Sequence, residues 1–524
     1  VTGLGNVAGV ERERVEVQVG RTLQARLMRN AQTGAVLAGS VGVGMAEAPS
    51  LPRSGLEVNV VTDHLALDEW RSLVLPASPA AAVPATAFDS SPLGLPTLVN
   101  LRAARVMLMG RQLDGVVAQA KPLGEASRGV GWAVDLQANQ MAGRIEWRPA
   151  QAGSRDTHGR VLARLSRLSI PPAGPDGSEA ALVDEPIDWP ALDVVVEDFE
   201  LRGRRLGRLE VMAEVERNER APAARTTVSD WKLNRFALSN ADASLVASGT
   251  WSGMPSAPAS GPSTGGDGIA RARRTAMDFE LELKDSGALL TRMGLEQALR
   301  AGAGRITGQV AWHGSPLSPD VRTMQGQLRL DLRSGQFLKA DPGAARLLGV
   351  LSLQSLPRRL LLDFRDVFQE GFPFDSITGD VAVVGGVAST NNLRMRGVQA
   401  AVLMEGNADL DRETQDLRVL VVPEINAGTA SLAYATINPA LGLGTFLAQL
   451  FLRRPLMAAS TREFSITGTW VDPKVERLQR ANLPTSEQVD RAVSPPEAAP
   501  TSAPTPTPTP AASTPNVQPN RRTP

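Results

Sequence analysis

Apolar and polar residues alternate along most of this chain. Val15, Val17 and Val19 interleave with Glu16 and Gln18, and Leu56, Val58 and Val60 with Glu57 and Asn59. Phe279, Leu281 and Leu283 interleave with Glu280, Glu282 and Lys284, and Leu328, Leu330 and Leu332 with Arg329, Asp331 and Arg333. Successive side chains on a strand point to opposite sides, so each run has one apolar and one charged face. Strands of that kind belong to antiparallel sheets wetted on one side, and the expected fold class is mainly β. Alternation alone leaves two arrangements open. The apolar faces of two sheets could close on each other as a sandwich, or one long sheet could leave its apolar face as a groove.

Turn chemistry links the strands. Leu192–Leu201 runs through Arg202-Gly203-Arg204-Arg205 into Leu206–Val215, a hairpin about a glycine-containing turn. Asp409–Leu420 and Val381–Met404 read the same way, with Gly385-Gly386 and Asn391-Asn392 as turn signals. A second feature recurs: Gly143…Trp147, Gly249-Thr250-Trp251, Gly308…Trp312 and Gly468-Thr469-Trp470. A glycine two or four residues before a tryptophan shares its face on a strand, and the missing Cβ leaves room for the indole. Each tryptophan is followed closely by Gly or Pro, which marks strand ends.

Helices are few. Ser286–Arg300 carries Leu289, Leu290, Met293 and Leu299 at helical spacing, with Asp285 or Ser286 as cap. Pro342 opens a second expected helix over 342–353, and a third covers 440–452. Pro255–Asp267 reads as a flexible loop, and 481–524 as a disordered tail of Pro, Ala, Thr and Ser.

The 55 Lys+Arg balance 55 Asp+Glu, so no net field favours nucleic acid. There is no cysteine, which excludes disulfides, thiolate nucleophiles and Cys-held metals. His64, His158 and His313 are scattered, without metal-ligand spacing, and read as solvated loop residues. The string Gly261-Pro262-Ser263-Thr264-Gly265 lies in the Ser/Gly/Pro loop with neither strand before it nor helix after it. Gly3-Leu4-Gly5-Asn6-Val7-Ala8 lacks the strand that must precede a dinucleotide fingerprint, and no lysine follows a glycine. Carboxylates such as Asp363, Asp366, Asp375 and Asp380 sit beside Arg365 and turn residues, in surface roles. Aromatics are only 4% of the chain, too few for the girdles of an outer-membrane barrel. The pattern calls for no catalysis, no cofactor and no metal. No run of about 20 apolar residues spans a bilayer, and no signal peptide opens the chain at Val1, which reads as a fragment's start.

Ala344-Ala345-Arg346-Leu347-Leu348-Gly349-Val350-Leu351-Ser352-Leu353-Gln354-Ser355-Leu356-Pro357-Arg358-Arg359-Leu360, continued by Leu362-Asp363-Phe364-Arg365-Asp366-Val367-Phe368 and Gly371-Phe372-Pro373-Phe374-Asp375, resembles the C-terminal region of the YhdP/AsmA-like envelope proteins. Pro190-Ala191-Leu192-Asp193 and Ile466-Thr467-Gly468-Thr469-Trp470-Val471-Asp472-Pro473 are similar to it as well. The resemblance implies a β-groove segment over 1–175 and an AsmA-like groove region over 186–480. It implies a long curled sheet with its apolar face inward, tethered in the periplasm to the inner membrane by an N-terminal helix. It also implies passage of phospholipid between inner and outer membranes, with a scaffold or assembly factor for outer-membrane proteins as the alternative.

On that reading the partners are phospholipid acyl chains, both membrane surfaces and other envelope proteins. The groove candidates are Val194, Val196, Leu281, Leu283, Leu328, Leu330, Leu332 and Val419. In the 440–452 helix, Leu443, Phe446, Leu447, Leu450 and Phe451 form an apolar stripe ahead of Arg453 and Arg454. That stripe could dock on a membrane or partner, the arginines facing phosphates, or it could plug the end of the groove.

Overall fold

A computed structural model describes residues 2–67, 95–150, 159–171, 190–217, 229–253, 273–338, 372–423 and 461–478, less a few short turns inside those ranges. Val1–Leu478 form one compact unit. The expected helices at 342–353 and 440–452, the Pro255–Asp267 loop, His158, Asp363, Asp366 and the 481–524 tail lie outside the described residues.

The described chain is overwhelmingly strand. The first group is β1 (Thr2–Val7), β2 (Val10–Val19), β3 (Leu23–Asn30), β4 (Val36–Val43), β5 (Gly55–Ala66) and β6 (Pro96–Leu108). Next come β7 (Arg111–Leu123), β8 (Gly131–Gln137), β9 (Met141–Arg148), β10 (Arg160–Ile170), β11 (Ala191–Leu201) and β12 (Arg204–Arg217). They are followed by β13 (Ser229–Ser239), β14 (Ala243–Gly253), β15 (Arg273–Leu283), helix α1 (Ser286–Arg292), β16 (Leu299–His313) and β17 (Gln325–Phe337). The last are β18 (Phe372–Val384), β19 (Val387–Arg396), β20 (Ala400–Asp409), β21 (Thr414–Pro423), β22 (Arg462–Thr469) and β23 (Pro473–Arg477).

All 23 strands form one sheet. Each pairs with its neighbours in sequence, and β1 and β23 do not pair with each other, so the sheet is open and is not a barrel. A two-sheet sandwich is therefore not what these strands build. At roughly 4.8 Å per strand the sheet extends about 100 Å across its strands. Its last strand is only five residues, begins with Pro473 and carries Lys474, Glu476 and Arg477. Brevity, proline and charge are the features that keep an edge from recruiting further strands.

Antiparallel pairing dominates, with three exceptions that alternation does not reveal. β4 and β5, β5 and β6, and β10 and β11 are parallel. Parallel neighbours need a crossover of a dozen or so residues, and these pairs are joined through 44–54, 67–95 and 171–190. The first crossover runs over the charged face. Ser40 Oγ donates to Pro49 O at 2.8 Å, and a Cβ on Gly42 would strike the Pro49 ring. The division expected between 175 and 186 falls in the third connection, where the sheet itself is continuous.

Two tight hairpins follow the sequence signals. Arg202-Gly203 (φ 52° and 77°) and Gly385-Gly386 (φ 58° and 78°) have both central residues in the left-handed region, which two-residue turns of matching twist require. Asn391-Asn392 is not a turn. It lies inside β19, at a bulge where Asn392 donates to the Asp380 carboxylate at 2.9 Å and its side-chain oxygen accepts from Asp380 N at 2.8 Å. The asparagine side chain supplies the hydrogen bonds that the bulged ladder lacks.

Helix α1 is shorter than its spacing predicts. Asp285 caps it, accepting from Ala288 N at 2.9 Å. It stops at Arg292 because Gly294 takes φ +85°, Leu295 N reaches back to Leu290 O and Gly294 N to Thr291 O. That glycine-centred closure satisfies the last carbonyls and frees Leu299 to begin β16. His64 and His313, expected in loops, are exposed residues of β5 and β16.

Candidate apolar groove

Directly paired residues on neighbouring strands share a face, so the register can be followed across the sheet. Starting at Val19, the pairing runs to Leu23, Val43, Val60, Leu101 and Ala118. It continues through Leu136, Gly143, Leu165, Val196, Leu209 and Leu238. From there it passes to Leu245, Leu281, Ile306, Leu330 and Gly379. Across the β18–β19 bulge Gly379 lies against Leu393, which pairs on to Met404, Val419 and Phe464. Every strand from β2 to β22 thus contributes an apolar residue or glycine to one uninterrupted row. A second row two residues along is equally apolar, with Val134, Ile145, Ala163, Val194, Val211 and Phe236 at its centre.

The opposite face is charged. Arg164 pairs with Asp193 (2.8 Å), Arg208 with Glu197 (2.9 Å), Arg305 with Glu280 (3.0 Å) and Arg329 with Asp380 (2.9 Å). Arg208 and Arg235 hold the Glu210 carboxyl below its ordinary range, and Arg148 and Arg144 do the same for Glu146. Exposed pairs of this kind add at most about 1 kcal/mol each, but a face covered with them keeps its water. Two concavities of about 790 and 640 Å³ lie on this side. The first holds an amide ladder in which Asn100 donates to Asn59 and accepts from Gln119, so its polar groups are largely satisfied internally.

Glycines on the apolar face let neighbouring strands approach closely. A Cβ on Gly143, Gly249, Gly304 or Gly308 would drive into the backbone of the next strand, at Arg164–Leu165, Ala276–Met277, Asp331–Leu332 and Gln327–Leu328 respectively. This corrects the expected role of the Gly–Trp pairs. The atoms nearest the missing side chain are mainly neighbouring backbone, and none of them belongs to an indole. The tryptophans do close strands as expected, in or just past β9, β14, β16 and β22.

Burial varies along the row. Val19 is 59% exposed, whereas Val196 and Val419 are 0% exposed. Around β10–β12 the face packs on itself through Leu165, Val196, Phe199, Leu206 and Leu209. At the far end Phe374, Ile377, Met404, Val419, Phe464 and Ile466 form a sealed core, against which Leu290 of α1 packs. Between these two places the floor is half-buried.

All eight sequence-selected groove residues lie on this face. Val196, Leu283 and Val419 are buried, and Val194, Leu281, Leu328, Leu330 and Leu332 are half-buried. Leu443, Phe446, Leu447, Leu450, Phe451, Arg453 and Arg454 lie outside the described residues.

Sequence reasoning missed an asymmetry between the two lips. All six described tryptophans, Trp132, Trp147, Trp231, Trp251, Trp312 and Trp470, stand on the apolar side along one lip. Trp132 pairs with Trp147 and Trp231 with Trp251, and Thr275 lies between Trp251 and Trp312. The other lip, formed by residues such as Ile170, Leu201, Leu283, Leu299 and Phe337, is aliphatic or phenyl. The signal was present: each Gly–Trp pair sits at a strand end that the hairpin topology brings to the same side. Among the described residues no group of His, Asp and Glu could hold a metal, and no helix is long and apolar enough to cross a membrane.

An open sheet, charged outside and continuously apolar inside, defines a β-groove protein. The sequence matches the YhdP protein family over residues 5–475, and the chain belongs to that family. It is 30% identical over 208 residues to the intermembrane phospholipid transporter YhdP of Escherichia coli (strain K12), an alignment covering 40% of this chain and 16% of that protein. The chain thus spans only about a sixth of the relative's length. No solved structure matches it.

Proposed function

We propose that this chain is a section of a phospholipid conduit in the cell envelope, holding acyl chains on the inner face of its sheet. The observation that carries the reading is the apolar row from Val19 to Phe464, unbroken by any charged residue. An acyl chain crossing water exposes hydrocarbon at about 0.8 kcal/mol per CH₂, and a continuous apolar floor removes most of that cost. The relative's transport of phospholipid between membranes supports this assignment. Transit is passive sliding, with no bond made or broken and no cofactor needed.

In this reading Leu281, Leu328 and Leu330 line the open floor, and Leu332 sits where that floor meets the closed end. The packed stretch at β10–β12, with Val194 and Val196, is a narrowing that a tail must part, and Val419 belongs to a closed end. Tethering to the inner membrane by an N-terminal helix, and contact of the 440–452 segment with a membrane or partner, belong to the same proposal. Mass spectrometry of lipids extracted from the purified chain tests it. Near-stoichiometric phospholipid is expected. A lipid-free protein that instead retains outer-membrane assembly proteins would favour the scaffold reading.

A further inference from the structure

The floor of the groove explains where tails lie and leaves the head of the lipid unassigned. On β15 the groove-side residues run Arg273, Thr275, Met277, Phe279, Leu281, Leu283, from a charge at the tryptophan lip to hydrocarbon at the floor. Neighbouring strands repeat the gradient, with Trp251 above Ala247 and Leu245 on β14 and Trp312 above Val310 and Ile306 on β16. A surface graded in this way matches a lipid lying across it, since indoles prefer the boundary between apolar and polar surroundings.

Three side chains on this lip have unmet hydrogen-bonding groups. Trp251 is 7% exposed, and its Nε1–H is buried without an acceptor. Farther along the same lip, Gln415 and Trp470 are also buried, and neither the Gln415 amide nor the Trp470 Nε1–H has a partner. A buried donor left unpaired costs about 1–3 kcal/mol, so such groups call for an acceptor that the fold does not supply. Beside the first of them, the Arg273 guanidinium carbon lies 3.8 Å from the centre of the Trp251 ring. Trp312 differs, since its Nε1 donates to Ser315 O at 2.9 Å.

We propose that the tryptophan lip is a headgroup track, and that Trp251 with Arg273 forms a binding station for the phosphodiester of the carried lipid. The inference rests on the groove holding lipid. An anionic oxygen arriving at the lip draws Arg273 from the indole face into an ion pair and accepts from the Nε1–H beneath it. No bond is broken. The same station fits inorganic phosphate, so both sources enter the test.

Binding of dioctanoyl-phosphatidylglycerol, dioctanoylglycerol and inorganic phosphate is measured calorimetrically for the full chain, Trp251→Phe and Arg273→Gln. The phosphorylated lipid should bind about tenfold more tightly than the diacylglycerol, as one charge-assisted hydrogen bond allows. Each variant should reduce that preference to about twofold and leave diacylglycerol binding unchanged, which also shows the fold intact. Equal weakening of both lipids, or no preference in the parent chain, would overturn the headgroup station and leave the groove reading standing. Binding of neither lipid would defeat the groove reading itself. Inorganic phosphate binding as tightly as the phospholipid, with the same sensitivity to both variants, would make the lip a free-phosphate site and overturn the headgroup assignment.

Discussion

Arg329 donates a 2.9 Å hydrogen bond to Asp380 across β17 and β18 on the charged face, and Leu330, one residue on, faces Gly379 on the other side of the sheet. Within two residues the protein changes from a solvated ion pair to hydrocarbon. That change of face, repeated strand after strand, is what makes a single sheet able to stand in water with one side apolar.

The ion pair gives a pH prediction. Hydrogen bonds from Arg329 and then Asn392 hold the Asp380 carboxyl below its ordinary value. A carboxyl lowered in the folded state stabilises above its unfolded pKa, and that stability is lost as pH falls through the folded value. The parent chain should therefore be slightly more stable than Asp380→Asn at pH 7, with the gap closing below about pH 4. Urea melts at several pH values check this, and added salt should narrow the gap at neutral pH, because Arg329 is largely exposed.

Close strand approach at a glycine is tested by Gly249→Ala. The added methyl would strike the backbone at Ala276–Met277 and would have to push the two strands apart there. A loss of about 2–4 kcal/mol is expected from chemical denaturation. Gly20, in a turn with nothing near its missing Cβ, serves as the control at about 1 kcal/mol for its left-handed φ.

The closed end and the open floor should respond differently to truncation. Val419→Ala removes contacts from a fully buried cluster and should cost about 2–3 kcal/mol. Leu330→Ala, on the half-buried floor, should cost under about 1.5 kcal/mol and instead reduce the lipid recovered with the purified protein.

Helix α1 is tied to the sheet by Arg292, which contacts the largely buried Asp242 carboxylate at 2.7 Å. Asp242→Ala should cost about 1–2 kcal/mol, and Asp285→Ala about 1 kcal/mol through loss of the cap. Hydrogen exchange should show both changes first in α1 and the start of β16.

Strands and faces were legible in the sequence because alternation is a local property: Leu328, Leu330 and Leu332 announce their side without knowing their neighbours. Pairing direction was not, since β10 and β11 carry the same pattern whether parallel or antiparallel. The leucine spacing places the end of α1 too late, because it runs on past Gly294, the residue that stops the helix. Asn391-Asn392 looked like a turn because asparagine serves turns and bulges through the same side-chain hydrogen bonds. The tryptophan lip was written in the Gly–Trp repeats, yet only the topology shows that all those strand ends fall on one side.

The claim that one face carries lipid is tested most directly by photo-crosslinking in cells at two adjacent positions. A photoreactive amino acid at Leu330 should capture phospholipid, identified by mass spectrometry of the adduct, and one at Arg329 should capture none. Equal capture at both positions, or none at Leu330, would contradict the account.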